Sequence, residues 1–171
     1  MEAQENQPPR IYILDNTAFS QGHNHGVWLD ATLPPEQMVE RIQAMLAASP
    51  AAGASDWEIF DSEGFDDLWL RPDENLALVS EMAALIREKS TLAAKLLAIF
   101  DRDIRYVRKI LEERYRGCYP SLGAYVRWLY DELGEEVEPG EDEEAIGKAM
   151  EFNAEIFTVA TDIEEIHVFA R

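Results

Sequence analysis

The sequence predicts an α+β fold, with a sheet and helix at each end of the chain and a helical middle. Three observations predict it. Two short segments rich in β-branched and aromatic residues open the chain, Arg10–Asp15 (RIYILD) and Gly26–Ala31 (GVWLDA). Through most of residues 73–134, apolar residues recur at helical spacing. Two further strand-like segments close the chain, Glu155–Ala160 (EIFTVA) and Ile166–Ala170 (IHVFA). Strands and helices are thus segregated instead of alternating as βαβ units, which is the α+β pattern.

Each element has its own warrant. The first two strand segments flank the polar stretch Asn16–His25 and read as a hairpin with a long loop. A helix follows, with Thr32 as its cap, Pro34 or Pro35 in its first turn and Met38, Ile42, Met45 and Leu46 as its stripe. Ser49–Ser55 is a small-residue loop, and Trp57–Asp61 (WEIFD) alternates as a half-exposed strand does. This β-β-α-β unit closes near residue 62. Four helices come next. Asp73 caps one bearing Leu76, Val79, Ala83 and Ile86, and Ser90 or Thr91 opens another bearing Leu92, Leu96 and Ile99. Asp101 or Asp103 precedes a third, with Ile104, Val107 and Leu111, which stops at Gly117. Ser121 caps the fourth, which runs to Gly134. The acidic run Glu135–Glu144 must lie in water, and a turn around Asp162 joins the last two strands.

On the fourth helix, Leu122, Tyr125, Val126, Leu129 and Leu133 share a face, while Trp128 lies roughly 120° away. Two readings of Trp128 stand: packing under a neighbouring loop, or a second contact surface with another chain.

Charge narrows the function. The 171 residues carry 34 Asp and Glu against 15 Lys and Arg, a net charge of −19. Nucleic acid and anionic membranes are excluded as direct partners, because phosphates need clustered cations. The 47% hydrophobic content is that of a folded chain rather than an acidic tail. The stretch Met1–Arg10 is acidic and proline-bearing, without the apolar core of a signal peptide, and no apolar run reaches membrane-spanning length. A single cysteine, Cys118, excludes an intrachain disulfide and fits a reducing compartment, so a cytoplasmic protein is expected. The charge is also patterned. Residues 1–100 hold 16 acids and 6 bases, residues 101–130 hold 4 and 7, and residues 131–165 hold 14 acids and only Lys148. General solubility does not require two acidic blocks.

Enzymatic readings find little support. His23-Asn24-His25 spells HNH, but the basic flanks and further ligands of a nuclease site are missing, and a zinc site wants three or four ligands. Cys118 with His167 as base lacks any orienting motif; a small, partly buried thiol and a sheet-surface imidazole account for them. Asp61-Ser-Glu63-Gly64 misplaces the glycine of a calcium loop. No phosphate loop, dinucleotide fingerprint or nucleophile elbow occurs, so neither an enzyme nor a cofactor nor a metal is expected. A metal-dependent hydrolase would need tight, stoichiometric metal.

The acidic blocks leave two readings. One is a solvated face. In the other, carboxylates held on a rigid surface imitate the phosphates that a nucleic-acid-binding protein is built to receive.

The order of several short segments carries a resemblance. IYILD (Ile11–Asp15), GVWLDA, DWEIFDSEGF (Asp56–Phe65), YRGCYPSLGAYVRWLYDELGE (Tyr115–Glu135) and EIHVF (Glu165–Phe169) together resemble the ArdA-type antirestriction proteins, from about Arg10 to Phe169. The resemblance implies a DNA mimic, typically carried on mobile genetic elements, that inhibits type I restriction–modification enzymes. It also implies an elongated chain of three small domains, here 1–62 (β-β-α-β), 63–103 (helical) and 104–171 (α+β). It implies a homodimer, with the stretch Tyr125–Gly134 in the region associated with dimer contact.

On this reading the protein is a non-enzymatic inhibitor that occupies the DNA-binding groove formed by the methyltransferase and specificity subunits. The phosphate stand-ins are Asp56, Glu58, Asp61, Glu63, Asp66 and Asp67 in one block. In the other they are Asp131, Glu132, Glu135, Glu136, Glu138, Glu141, Asp142, Glu143 and Glu144. Tyr125, Trp128 and Leu129 are the dimer-interface candidates. The alternative is an acidic adaptor or co-regulator that binds another basic nucleic-acid-binding protein.

Overall fold

A computed structural model describes residues 7–171. Residues 1–6 of the N-terminal stretch read above lie outside the described residues. The protein is mixed α+β, with two three-stranded sheets and six helices among the described residues. It divides into two compact units, residues 1–104 and 105–171. The first unit holds both segments expected as separate at 1–62 and 63–103.

In the first unit, β1 (Arg10–Asp15), β2 (Gly26–Asp30) and β3 (Trp57–Glu63) form an antiparallel sheet in the order β2-β1-β3. Alternation along β1 buries Ile11 and Ile13 completely and turns Tyr12 to the opposite face. The loop expected at Asn16–His25 begins with a short helix, α1 (Asn16–Ser20). Asp15 causes it, because its carboxylate accepts from the Ala18 amide at 2.9 Å and so caps a helical turn.

The next helix, α2 (Pro35–Ala47), buries Met38, Ile42, Met45 and Leu46 as expected. Its N-cap is Pro34 instead of Thr32. The Thr32 amide and hydroxyl both donate to the Asp30 carboxylate, at 2.8 and 2.6 Å, in a turn that precedes the helix.

The segment α3 (Leu76–Ile99) is capped by Asn75, not Asp73; the Asn75 side-chain oxygen accepts from Ala77 and Leu78. It is interrupted at Ser90, whose φ of 55° and ψ of −151° break the helical path where the sequence places a boundary. Val79, Met82, Ala83, Leu85 and Ile86 are buried before the break, and Leu92, Ala93, Ala94, Leu96 and Leu97 after it. Ile99, expected in the second stripe, is instead 58% exposed.

The second unit begins within α4 (Ile104–Glu113), which buries Ile104, Val107 and Ile110, with Leu111 at the margin. It ends earlier than expected, and Tyr115–Tyr119 forms a strand, β4. Gly117, expected to stop a helix, has φ 117° at a register shift between β4 and its neighbour. Its positive φ therefore serves a bulge. After α5 (Leu122–Leu133) comes a helix absent from the sequence expectations, α6 (Glu143–Phe152). Strands β5 (Ile156–Asp162) and β6 (Glu165–Ala170) complete an antiparallel sheet ordered β4-β6-β5.

Leu122, Tyr125, Val126, Ile156 and Val168 make the core of this unit, with Leu129, Ile146 and Met150 packed at its rim. The two helices approach closely because Gly147 has no side chain: a Cβ there would lie 2.7 Å from the Leu122 Cβ. Leu133, expected on the buried face of α5, is 61% exposed.

Candidate functional site

The first acidic block occupies β3 and the turn that follows it. Asp56 precedes the strand, Glu58, Asp61 and Glu63 lie along it, and Asp66 and Asp67 follow. Three of these six carboxylates hold local structure. Glu63 pairs with Arg10 at 2.6 Å across β1 and β3. Asp66 and Asp67 share Lys95 of α3, at 3.2 and 2.9 Å. Bonding to Asp67 and then to Asp66 holds the Lys95 ammonium above its ordinary range. Asp61 accepts only from the adjacent Ser62 amide. Among the described residues, no cation lies within ion-pair distance of Asp56, Glu58 or Asp61.

Glu74, at the end of the same acidic stretch, is a different kind of residue. Its side chain is 3% exposed and lies 3.4 Å from both Arg71 and Arg102, while the Arg102 guanidinium also donates to the Trp69 carbonyl oxygen. This carboxylate is structural, and composition alone does not separate it from its solvated neighbours.

The second block spans three elements. Asp131 and Glu132 sit in the last turns of α5. Glu135, Glu136, Glu138 and Glu141 lie in the exposed connection, and Asp142, Glu143 and Glu144 begin α6. The last three build the fold. Asp142 caps α6 through the Glu144 amide at 3.0 Å, and Glu144 accepts from the Gly123 amide of α5 at 2.7 Å. Glu143 pairs with Arg127 at 2.6 Å, and the bond from that guanidinium holds its carboxyl below the usual range. Negative charge here also favours the positive N-terminal end of α6.

Asp131 and Glu132 are placed the other way. They add negative charge to the end of a helix that is already negative, and no basic residue stands in that last turn to offset them. Asp131, Glu132, Glu135, Glu136, Glu138 and Glu141 are exposed, and among the described residues no cation lies within ion-pair distance of them, although the Arg127 guanidinium acts on Asp131 from farther off.

The dimer candidates occupy different depths. Tyr125 is 3% exposed, Leu129 is partly buried and Trp128 is 39% exposed. The Trp128 ring stands 5.8 Å from Tyr119 and 6.0 Å from Tyr125, so one side packs and the other meets solvent. Tyr125 therefore reaches any surface only through the ring it supports.

The chemical candidates are occupied otherwise. His25 Nε2 donates to the Met45 carbonyl oxygen at 2.7 Å, and Asn24 accepts from the Tyr12 hydroxyl. Cys118, expected to be partly buried, is exposed on β4 directly opposite His167 on β6. Both ring nitrogens of His167 are engaged, Nδ1 with the Tyr115 hydroxyl at 2.8 Å and Nε2 with Thr161 at 3.0 Å. Partial desolvation by its neighbours, and secondarily Glu165, pushes the Cys118 thiol up, away from thiolate. Among the described residues, no group of three or more His, Cys, Asp or Glu is placed to hold a metal, and no helix is long and apolar enough to cross a membrane.

The described residues thus present two acidic surfaces, one on a sheet edge and one on a helix-connection-helix. The family model described as Antirestriction protein (ArdA) matches residues 11–165. The chain belongs to the ArdA antirestriction family. A comparison with curated proteins finds no match.

Proposed function

We propose that this protein inhibits type I restriction–modification enzymes by imitating DNA. As a homodimer in the cytoplasm, it would occupy the groove of the methyltransferase and specificity subunits without catalysing a reaction. The observation that carries this reading is the placement of Asp131 and Glu132 with the exposed run to Glu141. Among the described residues no cation lies within ion-pair distance of these carboxylates, Arg127 acting on Asp131 only from beyond it, and two of them oppose the dipole of their own helix. A surface selected only for folding would place lysine or arginine there.

The quantity of charge supports the reading. Duplex DNA presents about one charge per 1.7 Å of axis, so two copies of a chain with net charge −19 match roughly 65 Å of duplex. The half-exposed Trp128 is proposed to join the two chains. In sedimentation, Trp128→Ala should weaken the dimer; an unchanged dimer constant removes that residue from the interface.

The deciding experiment is inhibition of a purified type I complex at several DNA and salt concentrations, with plating of unmodified phage on a restricting host as its cellular counterpart. Inhibition should fall as DNA or salt rises. Inhibition indifferent to both, or retrieval of a single unrelated basic protein in place of restriction subunits, would sink the proposal.

A further inference from the structure

The open face of the first sheet carries a row of aromatic rings that neither the core nor the acidic blocks require. The alternation that buries Ile11, Ile13, Leu29 and Ile59 leaves Tyr12 and Trp28 on the other side of the sheet. These two are register partners with rings 5.3 Å apart. A register shift next to Tyr12 brings the Phe60 ring of β3 to 6.4 Å from it, edge on. Cross-strand aromatic pairs stabilise sheets, which accounts for the half-buried Tyr12 and Trp28. It does not account for Phe60, which is 59% exposed.

The same face already displays the chemistry it suits. The Arg10 guanidinium lies 4.4 Å from the Trp28 ring centroid while it pairs with Glu63 at 2.6 Å. One arginine is thus held between an aromatic ring and a carboxylate. The register repeats those ingredients beside it. Residues directly opposed in an antiparallel pair point to one face, so Asp61 opposite Tyr12 shares the face of the rings, and the half-buried Glu58 lies farther along it opposite Leu14, where the face is covered. Among the described residues, no cation lies over Tyr12 or Phe60, and none pairs with Asp61 or Glu58.

We propose that this face receives arginine side chains of the inhibited enzyme's DNA-binding surface, their guanidinium planes stacked on Phe60 and Tyr12 and bonded to Asp61. The inference rests on the mimic reading and deepens it: the carboxylates attract the partner from a distance, and the rings hold it once docked. Arginine suits the face better than lysine, because a planar guanidinium stacks and bonds at its edge simultaneously. Bases of a single strand also stack on such platforms, but they need a cationic groove for their phosphates. This face offers carboxylates instead.

Binding of the full-length protein to a purified type I complex, measured over a range of salt, tests the proposal. Phe60→Ala and Phe60→Leu should each weaken binding about tenfold at every salt concentration, with an unchanged salt slope. Phe60→Tyr should bind as wild type does, and Asp61→Asn should flatten the slope. Phe60→Leu keeps apolar bulk at the bulge, so its full affinity would overturn the proposal, as would a Phe60→Ala variant with unchanged affinity. Binding of wild type to a single-stranded oligonucleotide, lost in Phe60→Ala, would overturn it in favour of a nucleic-acid platform. If wild type itself fails to bind the complex, the mimic reading falls and this inference falls with it; if only the Phe60 variants match wild type, the mimic reading survives alone.

Discussion

Asp15 has no exposed surface, yet its carboxyl is held below its ordinary range. Burial opposes the charge, but the Ser49 side chain, the Ala18 amide and the nearby His25 ring outweigh it and hold the carboxyl below its ordinary range. A carboxyl with a depressed folded pKa stabilises the protein above its unfolded pKa, and that contribution is lost as pH falls through the folded value. Asp15→Ala should therefore lower stability at neutral pH by about 1 kcal/mol or more, because the cap of α1 is removed. The deficit should shrink in urea titrations below pH 4, and a deficit independent of pH would contradict the assignment. Gly147 is a second such residue. With 2.7 Å available to an added Cβ, Gly147→Ala should cost about 1–3 kcal/mol by forcing α5 and α6 apart, measurable as a lower urea midpoint. Glu74 shows where single residues are illegible in a sequence. It sits among solvated acids, and although Arg71 is close in sequence, its other partner, the partly buried Arg102, lies 28 positions away, which the sequence around Glu74 does not reveal.

Among the elements, those with local signals at both ends were legible. Ser121 caps α5 through the Ala124 amide at 3.0 Å, and Gly134 ends it in the left-handed conformation that glycine favours. The strands β1 and β2 announced themselves through β-branched and aromatic residues, β3 through alternation, and β5 and β6 as two strand-like segments around the turn at Asp162. Three elements did not: α1 fell inside a stretch read as a loop, and β4 and α6 were not foreseen either. β4 is five residues long with a bulged glycine, and it exists because β6 supplies its hydrogen bonds from about fifty residues away. α6 carries a glycine at the position where α5 crosses it, a substitution that local propensity reads as a break. The candidate site divides the same way. Its acidic blocks were visible in composition, but the distinction between carboxylates that build the fold and those left unpaired needs coordinates. That distinction is testable on α5. Neutralising Asp131 and Glu132 as Asn and Gln should raise Tm, since it removes unfavourable charge from a helix end, and should also weaken inhibition. A variant that gains stability and keeps full inhibition would show that these two groups only tune the helix.

For the whole molecule, a net charge of −19 acts over distances set by the ionic atmosphere, about 8 Å at physiological salt. The exposed run from Asp131 to Glu141 concentrates like charge on a short length of chain, and like charges repel one another as strongly as they draw a cationic groove. Added salt screens both effects. Folding and inhibition should therefore respond oppositely to ionic strength: Tm should climb between low and physiological salt while inhibitory potency declines. Thermal melts and inhibition assays over one salt series check this, and parallel trends would be incompatible with it. If the mimic proposal holds, the same run would make the partner a stabilising ligand, since a cationic groove would relieve the repulsion that free solution leaves in place. An inhibitor of the proposed kind would be least comfortable alone, and its own internal repulsion would contribute to holding it on its target.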